Sequence, residues 1–361
     1  MTPHLKTLTR YLIETRQAHG VNSTGDLNGL LNAVTTAIKM VANQVNKGIL
    51  GVTAEVIHAG NGTARDELQA KLAKLTCDVL VRETEWAGHL NGIASQANEA
   101  SLPISEGYKR GKYLLVIDPL HGSAEMDLNI PVGTIFSVLR APNPGGGSKT
   151  EDFLQEGKEQ VAAGFAMYGP STMLVITTGH GVDGFTLDRD IGAFMLTHPA
   201  MNIAQATNEF AINASNSRFW EPPVSRYVGE CLQGKDGPRG KDFNMRWFGS
   251  MVAAAYRILN RGGVYIYPRD NEQSRRGARL QLVFQVNPLA FILEQAGGAA
   301  STGRTRILDI VPEDLHQRVP MIFGSSEEVQ LIERYHREHE LGLDKEFDSP
   351  LFSSRSLFIP A

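Results

Sequence analysis

From Asp26 onward the apolar residues Leu27, Leu30, Leu31, Val34, Ile38, Val41 and Val45 recur at three- and four-residue steps. That spacing predicts an amphipathic helix, with Ser23 and Thr24 available as caps. A second helix is expected from Glu67 to about Arg82. YLLVI, 113–117, is a continuous apolar run preceded by Lys112 and followed by Asp-Pro, which reads as a buried strand ending in a loop. Alternation continues through Thr134–Arg140. The stretches Ala162–Tyr168 and Thr172–Thr178, separated by Gly169-Pro170, describe a hairpin. PNPGGGS, 142–148, reads as a flexible surface connection.

A second block begins after about Gly184. Here the pattern predicts a helix over Arg246–Asn260 and strands in GGVYIYP and RLQLVFQ. It also predicts a helix over Pro288–Ala296 stopped by Gly297-Gly298, and a C-terminal helix near Glu327–Glu338. Strands and helices mixed in this way imply layered α+β or α/β halves, 1–184 and 185–340, followed by a tail over 341–361. A helical bundle does not fit, and no repeat at solenoid spacing is present.

Composition adds exclusions. The 361 residues are 42% hydrophobic and 20% charged with a formal net charge of -4, so no global cationic field draws the chain to nucleic acid or to an anionic membrane. No segment approaches the roughly 18 uninterrupted apolar residues of a membrane span, and the first residues lack the apolar core of a signal peptide. A cytoplasmic chain is expected. Cys77 and Cys231 have neither CxxC spacing nor an even framework, so each reads as a buried thiol.

The most specific string is DPLHGSAEMDLN, 118–129, directly after the buried strand. An Asp-Pro at a strand's carboxyl end, followed by Gly-Ser, places a carboxylate beside unpaired backbone N–H groups and so suits a metal and a phosphate together. With KRGKY, VGTIFS, QVAAGFAMYGPSTMLVITTG, GSMVA, GGVYIYP, NPLAFILEQAGG and ILDIVPEDLHQR, this chain resembles the class I fructose-1,6-bisphosphatases from about Thr24 to Arg337. The resemblance implies two halves in a layered αβαβα sugar-phosphatase fold and a homo-oligomer, tetramer or dimer. It also implies hydrolysis of the 1-phosphate of fructose 1,6-bisphosphate by a metal-activated water, with Mg²⁺ as the metal.

Against that family the metal carboxylates are depleted. Ala73, Gln96, Ala97, His121 and Gln285 stand at acidic positions, while Asp118 keeps the pattern and Glu67 stands where the family has an acid that positions the water. A register slip that lets Asn98 or Glu99 substitute is the alternative. Hard cations need oxygen ligands and compensating charge, so at most a single divalent metal at Asp118 is expected. The sugar-phosphate pocket maps by resemblance onto Ser123, Asn213, Asn216, Arg246 from a neighbouring subunit, Trp247, Met251, Tyr267 and Arg279. Traces of an AMP site fall on Thr24, Gly25, Lys112 and Tyr113, a helix N-terminus with a cation.

His121 and Glu125 are gained ionisable groups. A His four residues before a Glu, with Asp118 close by, suits proton transfer on a sugar hydroxyl or carbonyl, and a hydrogen-bonded histidine filling the metal's space is the competing reading. His180 and His316 are weaker candidates. The expected function is a sugar-phosphate-binding protein whose Mg²⁺-dependent hydrolysis is lost and whose chemistry is repurposed around His121 and Glu125, as isomerase, epimerase or lyase. The alternatives are a non-catalytic sensor of sugar phosphate or AMP, and a residual fructose-1,6-bisphosphate 1-phosphatase.

Overall fold

The computed structural model describes residues 5–18, 25–47, 62–123, 128–269 and 280–344, with the backbone alone for residue 16 and residues 62–70. Helices α1 (Leu8–Ala18), α2 (Asp26–Val45) and α3 (Gly62–Glu85) precede an eight-stranded sheet of order β2-β1-β3-β4-β5-β6-β7-β8. Its strands are β1 (Leu90–Ser95), β2 (Leu102–Pro103), β3 (Tyr113–His121), β4 (Val132–Arg140), β5 (Ala162–Tyr168), β6 (Thr172–Thr177), β7 (Asp183–Asp188) and β8 (Ala193–His198). β1 and β3 are parallel, and the remaining neighbours are antiparallel. The sheet therefore runs past Gly184, the expected start of the second block, as far as His198.

A five-stranded sheet of order β10-β9-β11-β15-β13 follows. It is built from β9 (Glu209–Ile212), β10 (Asn244–Met245), β11 (Val264–Tyr267), β13 (Ala299–Ser301) and β15 (Met321–Gly324). β12 (Leu280–Gln281) and β14 (Arg318–Val319) pair separately. Helices α4 (Pro222–Leu232), α5 (Met251–Arg261), α6 (Asn287–Gln295) and α7 (Ser326–Glu340) complete the second half.

Side-chain parity assigns the layers. Along β4 and β6, Phe136, Val138, Leu174 and Ile176 face the core formed with Leu30, Leu31, Val34 and Ile38 of α2 and Leu80 of α3. Their neighbours Ile135 and Val175 face the opposite core, with Val252 and Ala255 of α5, Leu289 and Ile292 of α6, and Tyr265 and Phe323 of the second sheet. The period of two in a strand makes this division automatic. The far face of the second sheet carries Phe210, Ile212, Ile266 and Ile322 against Val224 and Tyr227 of α4 and Val329 and Ile332 of α7. The order is thus αβαβα, the layered mixed fold expected from the sequence. No helix among the described residues is long and apolar enough to cross a membrane.

Local expectations fail in three places. The YLLVI strand does not end at Ile117: it continues to His121 through an irregularity in which Asp118 pairs with Ile135 and His121 with Gly133. Thr134 Oγ1 donates to the Pro119 carbonyl at 2.7 Å, holding this bulge. RLQLVFQ is not a strand over its described residues: Leu280–Gln281 is extended, and Leu282–Val286 forms a π-helical turn leading into α6. A fully buried apolar run has no alternation to separate strand from helix. The helix expected from Arg246 starts at Met251, because Ser250 caps it through its Oγ to the Ala253 N–H, while the Arg246 N–H is held by the Phe210 carbonyl.

Candidate active site around Asp118

β1 and β3 run parallel, and their pairing ends with Ser95 opposite Ile117 and the Gln96 N–H bonded to the Ile117 carbonyl at 2.9 Å. Asp118 thus stands at the carboxyl end of a parallel pair, where ligands of open α/β sheets gather. Its carboxylate is only 3% exposed. Oδ2 accepts from His121 Nδ1 at 2.9 Å and from Gln285 Nε2 at 2.8 Å. The bulge turns His121 back onto Asp118, and the π turn carries Gln285 in from the other half. Gly122, at φ 78, needs the left-handed conformation that glycine adopts without strain, and it sets the chain toward Ser123. Gly122 also lies against Ser250 at the start of α5.

Gln96 and Ala73 are half-buried and Ala97 is exposed. Asn98 does not substitute: its Oδ1 faces the Cys77 thiol at 3.6 Å and its carbonyl accepts from His316 Nε2 at 2.9 Å, while Glu99 is exposed. Cys77 also meets Ser95 Oγ at 3.2 Å, and burial pushes its thiol pKa up. Among the described residues no group of three or more His, Cys, Asp or Glu side chains could hold a metal ion. The donor set in view, one carboxylate already accepting two hydrogen bonds, does not fit a cluster of divalent cations. Glu125 lies outside the described residues, as does the side chain of Glu67.

The sugar-phosphate candidates gather at the second sheet. Ile212 pairs with Ile266, so Asn213 and Tyr267 stand together at the carboxyl ends of the parallel strands β9 and β11. Asn213 Oδ1 accepts from the Ser215 N–H and hydroxyl, and Asn216 is half-buried one short turn on. Trp247 stacks on Tyr265, with centroids 5.4 Å apart, and Tyr265 stacks on Phe323 in turn. Met251 is buried in the same core. Arg246 is exposed, its guanidinium resting on the Met245 carbonyl. Arg279 lies outside the described residues.

Of the nucleotide-site candidates, Thr24 is outside the described residues, and Gly25 begins α2 at φ 82. Lys112 Nζ is paired with Asp26 Oδ2 at 2.9 Å, and His89 Nδ1 approaches the other oxygen at 3.6 Å. Tyr113 is buried in the first core. His180 is an exposed turn residue. Sequence reasoning missed Gln281, whose Nε2 meets His316 Nδ1 at 3.1 Å and whose backbone N–H donates to Gln285 Oε1 at 3.0 Å. Its signal was a polar pair at helical spacing, Gln281 and Gln285, inside a buried apolar run.

The fold is a layered αβαβα one, with Asp118 and Asn213 following the ends of two parallel strand pairings. Residues 6–199 match the fructose-1-6-bisphosphatase N-terminal domain and 203–337 the C-terminal domain, and the chain belongs to that family. It is 51% identical over 358 residues to the class 1 fructose-1,6-bisphosphatase of Methylacidiphilum infernorum, covering 99% of each chain. It is likewise 51% identical over 357 residues to that of Hydrogenophilus thermoluteolus, covering 98% of each. The Leishmania major fructose-1,6-bisphosphatase in its T-state superimposes with a TM-score of 0.81 at 32% identity, covering 93% of this chain and 100% of that one. These matches overturn the expectation that the chemistry was lost or repurposed around His121 and Glu125. Relatives alike at half of all positions, end to end, carry the ordinary phosphatase name, and a change at a few site positions does not outweigh that likeness.

Proposed function

We propose that this chain is a fructose-1,6-bisphosphate 1-phosphatase. Its end-to-end identity of 51% with proteins named fructose-1,6-bisphosphatase class 1 carries the reading. The phosphate on the non-reacting end of the sugar is held by Asn213, Tyr267 and Arg279, with Arg246 contributed by a neighbouring copy. Asn216, Trp247 and Met251 shape that pocket, and Ser123 with the Gly122 turn receives the reacting phosphate beside Asp118. Met245 and Phe248, which flank Arg246, are 45% and 38% exposed, in keeping with a homo-oligomer whose contact covers them. A nucleotide phosphate at the start of α2 has to compete with Asp26 for Lys112. The protein acts in the cytoplasm on a soluble sugar phosphate.

Phosphate release from fructose 1,6-bisphosphate is the test, with ³¹P NMR identifying which ester is cleaved. The expected product is fructose 6-phosphate at a rate that falls at least about a hundredfold in Asp118→Asn, the usual loss for a charged group at the reacting centre. A rate equal to background and insensitive to Asp118→Asn rejects the reading.

A further inference from the structure

We infer that Asp118 is engaged by a polarised hydrogen-bond relay internal to this chain, and that His121 and Gln285 thereby displace divalent cations from its Oδ2. The inference rests on Asp118 being the centre of the proposed site, but not on the rate of hydrolysis. Its starting point is the disagreement between the family's metal and the side chains present.

The direction of each bond follows from groups that cannot be reversed. The Gln281 backbone N–H is only a donor, so the Gln285 atom it meets at 3.0 Å is the amide oxygen. The other end of that amide is therefore the NH₂, which donates to Asp118 Oδ2 at 2.8 Å. Reversing the amide would set oxygen against carboxylate and NH₂ against N–H, losing both bonds. The Asp118 oxygen, an acceptor, in turn requires the hydrogen on His121 Nδ1 at 2.9 Å.

At the far end the Asn98 carbonyl accepts from His316 Nε2, and His316 Nδ1 meets the Gln281 side-chain amide at 3.1 Å. Asn98 lies after β1, Asp118 and His121 on β3, Gln281 on β12, Gln285 on the π turn, and His316 before β14. Both halves of the molecule thus hold one carboxylate oxygen in a fixed direction.

A divalent cation at that oxygen would have to displace the Gln285 NH₂ and the His121 N–H, and Ala73, Gln96 and Ala97 bring no compensating carboxylate. Within the reaction, Gln285 is a positioning residue: it acts through Asp118.

Mn²⁺ serves as the probe, its free ion counted by electron paramagnetic resonance on the whole protein without substrate. The wild-type chain is expected to leave Mn²⁺ free at concentrations where the double variant His121→Asp/Gln285→Glu binds it. The difference expected is about tenfold or more in affinity, the size commonly seen when groups around a metal ligand are exchanged. Tight wild-type binding that is lost in Asp118→Asn overturns the inference, and so does a folded double variant that binds no better than wild type.

A second readout needs no folded double variant. The His121 Nδ1–H resonance, assigned by its loss in His121→Asn, should keep its position when Mg²⁺ is added. A shift or loss of that signal on Mg²⁺ addition also overturns the inference. Neither readout uses phosphate release, so a hydrolytic failure and a relay failure are told apart.

Discussion

Glu328 and Asp118 are both buried carboxylates, 1% and 3% exposed, yet the molecule answers them differently. Glu328, on α7, faces formal cations: Arg239 Nη2 reaches both its oxygens at 2.7 Å and Lys241 lies at 3.5 Å. The Tyr227 hydroxyl adds a bond at 2.8 Å. Burial, reinforced by Cys231 and Glu328, pushes the Tyr227 pKa well above its ordinary value, so this phenol remains a donor. Asp118 has an amide and an imidazole instead. A carboxylate closed by cations works as a strut, whereas Asp118 is held through one oxygen by an amide and an imidazole N–H. The outer layer is built for stability and the strand ends for chemistry.

The largest expected effect breaks the strut. Glu328→Ala leaves Arg239, Lys241 and the Tyr227 hydroxyl without their shared acceptor and should cost about 3–5 kcal/mol, the usual penalty for removing one partner of a buried ion pair. Urea unfolding measures it. A loss under about 1 kcal/mol would mean that water replaces the carboxylate freely and that the two centres do not differ as described. Glu328→Gln should fall between, keeping bonds but losing charge.

A smaller loss is expected at the other carboxylate. Gln285→Ala removes one donor from Asp118 and should cost about 1–3 kcal/mol. In Asp118→Asn the same truncation should cost less, because an amide needs that donor less than a charge does. A double-mutant cycle on urea midpoints reads the coupling. A coupling of zero would make Gln285 a space-filling residue.

Much of this contrast was open to sequence reading in one place and closed in the other. Asp118 announces itself through its motif, and the stripe of α2 and the alternation of β4 and β6 follow from periodicity alone. The neighbours of Asp118 were legible only in part. His121 sits three residues on, but Gln285, Gln281, His316 and Asn98 come from distant segments, and no local pattern says which of two amide ends will face a carboxylate. The same limit hid the π turn, since Leu282–Val286 is buried on every side. Arg246–Asn260 was read as one helix because a tertiary bond, the Arg246 N–H to the Phe210 carbonyl, leaves no trace in propensity. The depleted carboxylates mislead for a different reason: a few site positions do not tell how far the rest of the chain agrees with relatives that carry the ordinary phosphatase name, which the 51% identity does.

Acid sharpens the comparison from the strut side, at Glu221. Burial would raise its pKa, but His336 and Arg304 beside it bring it from 4.5 down to about 2. Its folded value lies below its unfolded one, so its contribution is complete above about pH 4.5 and is lost as pH falls toward 2. Urea midpoints should decline across that window, and Arg304→Met should flatten the decline by raising the folded pKa. An unchanged acid slope in Arg304→Met would show that the carboxylate is held by something else.

The smallest effect belongs to Asp26, whose carboxylate is partly exposed at the first turn of α2 and paired with Lys112 at 2.9 Å. Two favourable terms meet there: the ion pair, and the attraction of a negative charge to the helix's amino end. Both act close to water and are screened by salt, so Asp26→Asn should cost no more than about 1 kcal/mol at low ionic strength. At about 1 M salt, where the screening length falls to about 3 Å, that difference should nearly vanish. Raising salt should leave the Glu328→Ala penalty largely intact, because Glu328 and its main partners Arg239 and Tyr227 are shielded from solvent ions. Urea titrations of both variants at low and high salt measure this directly. A loss in Asp26→Asn that persists undiminished at high salt would place Asp26 among the struts and remove the distinction between the two kinds of charge.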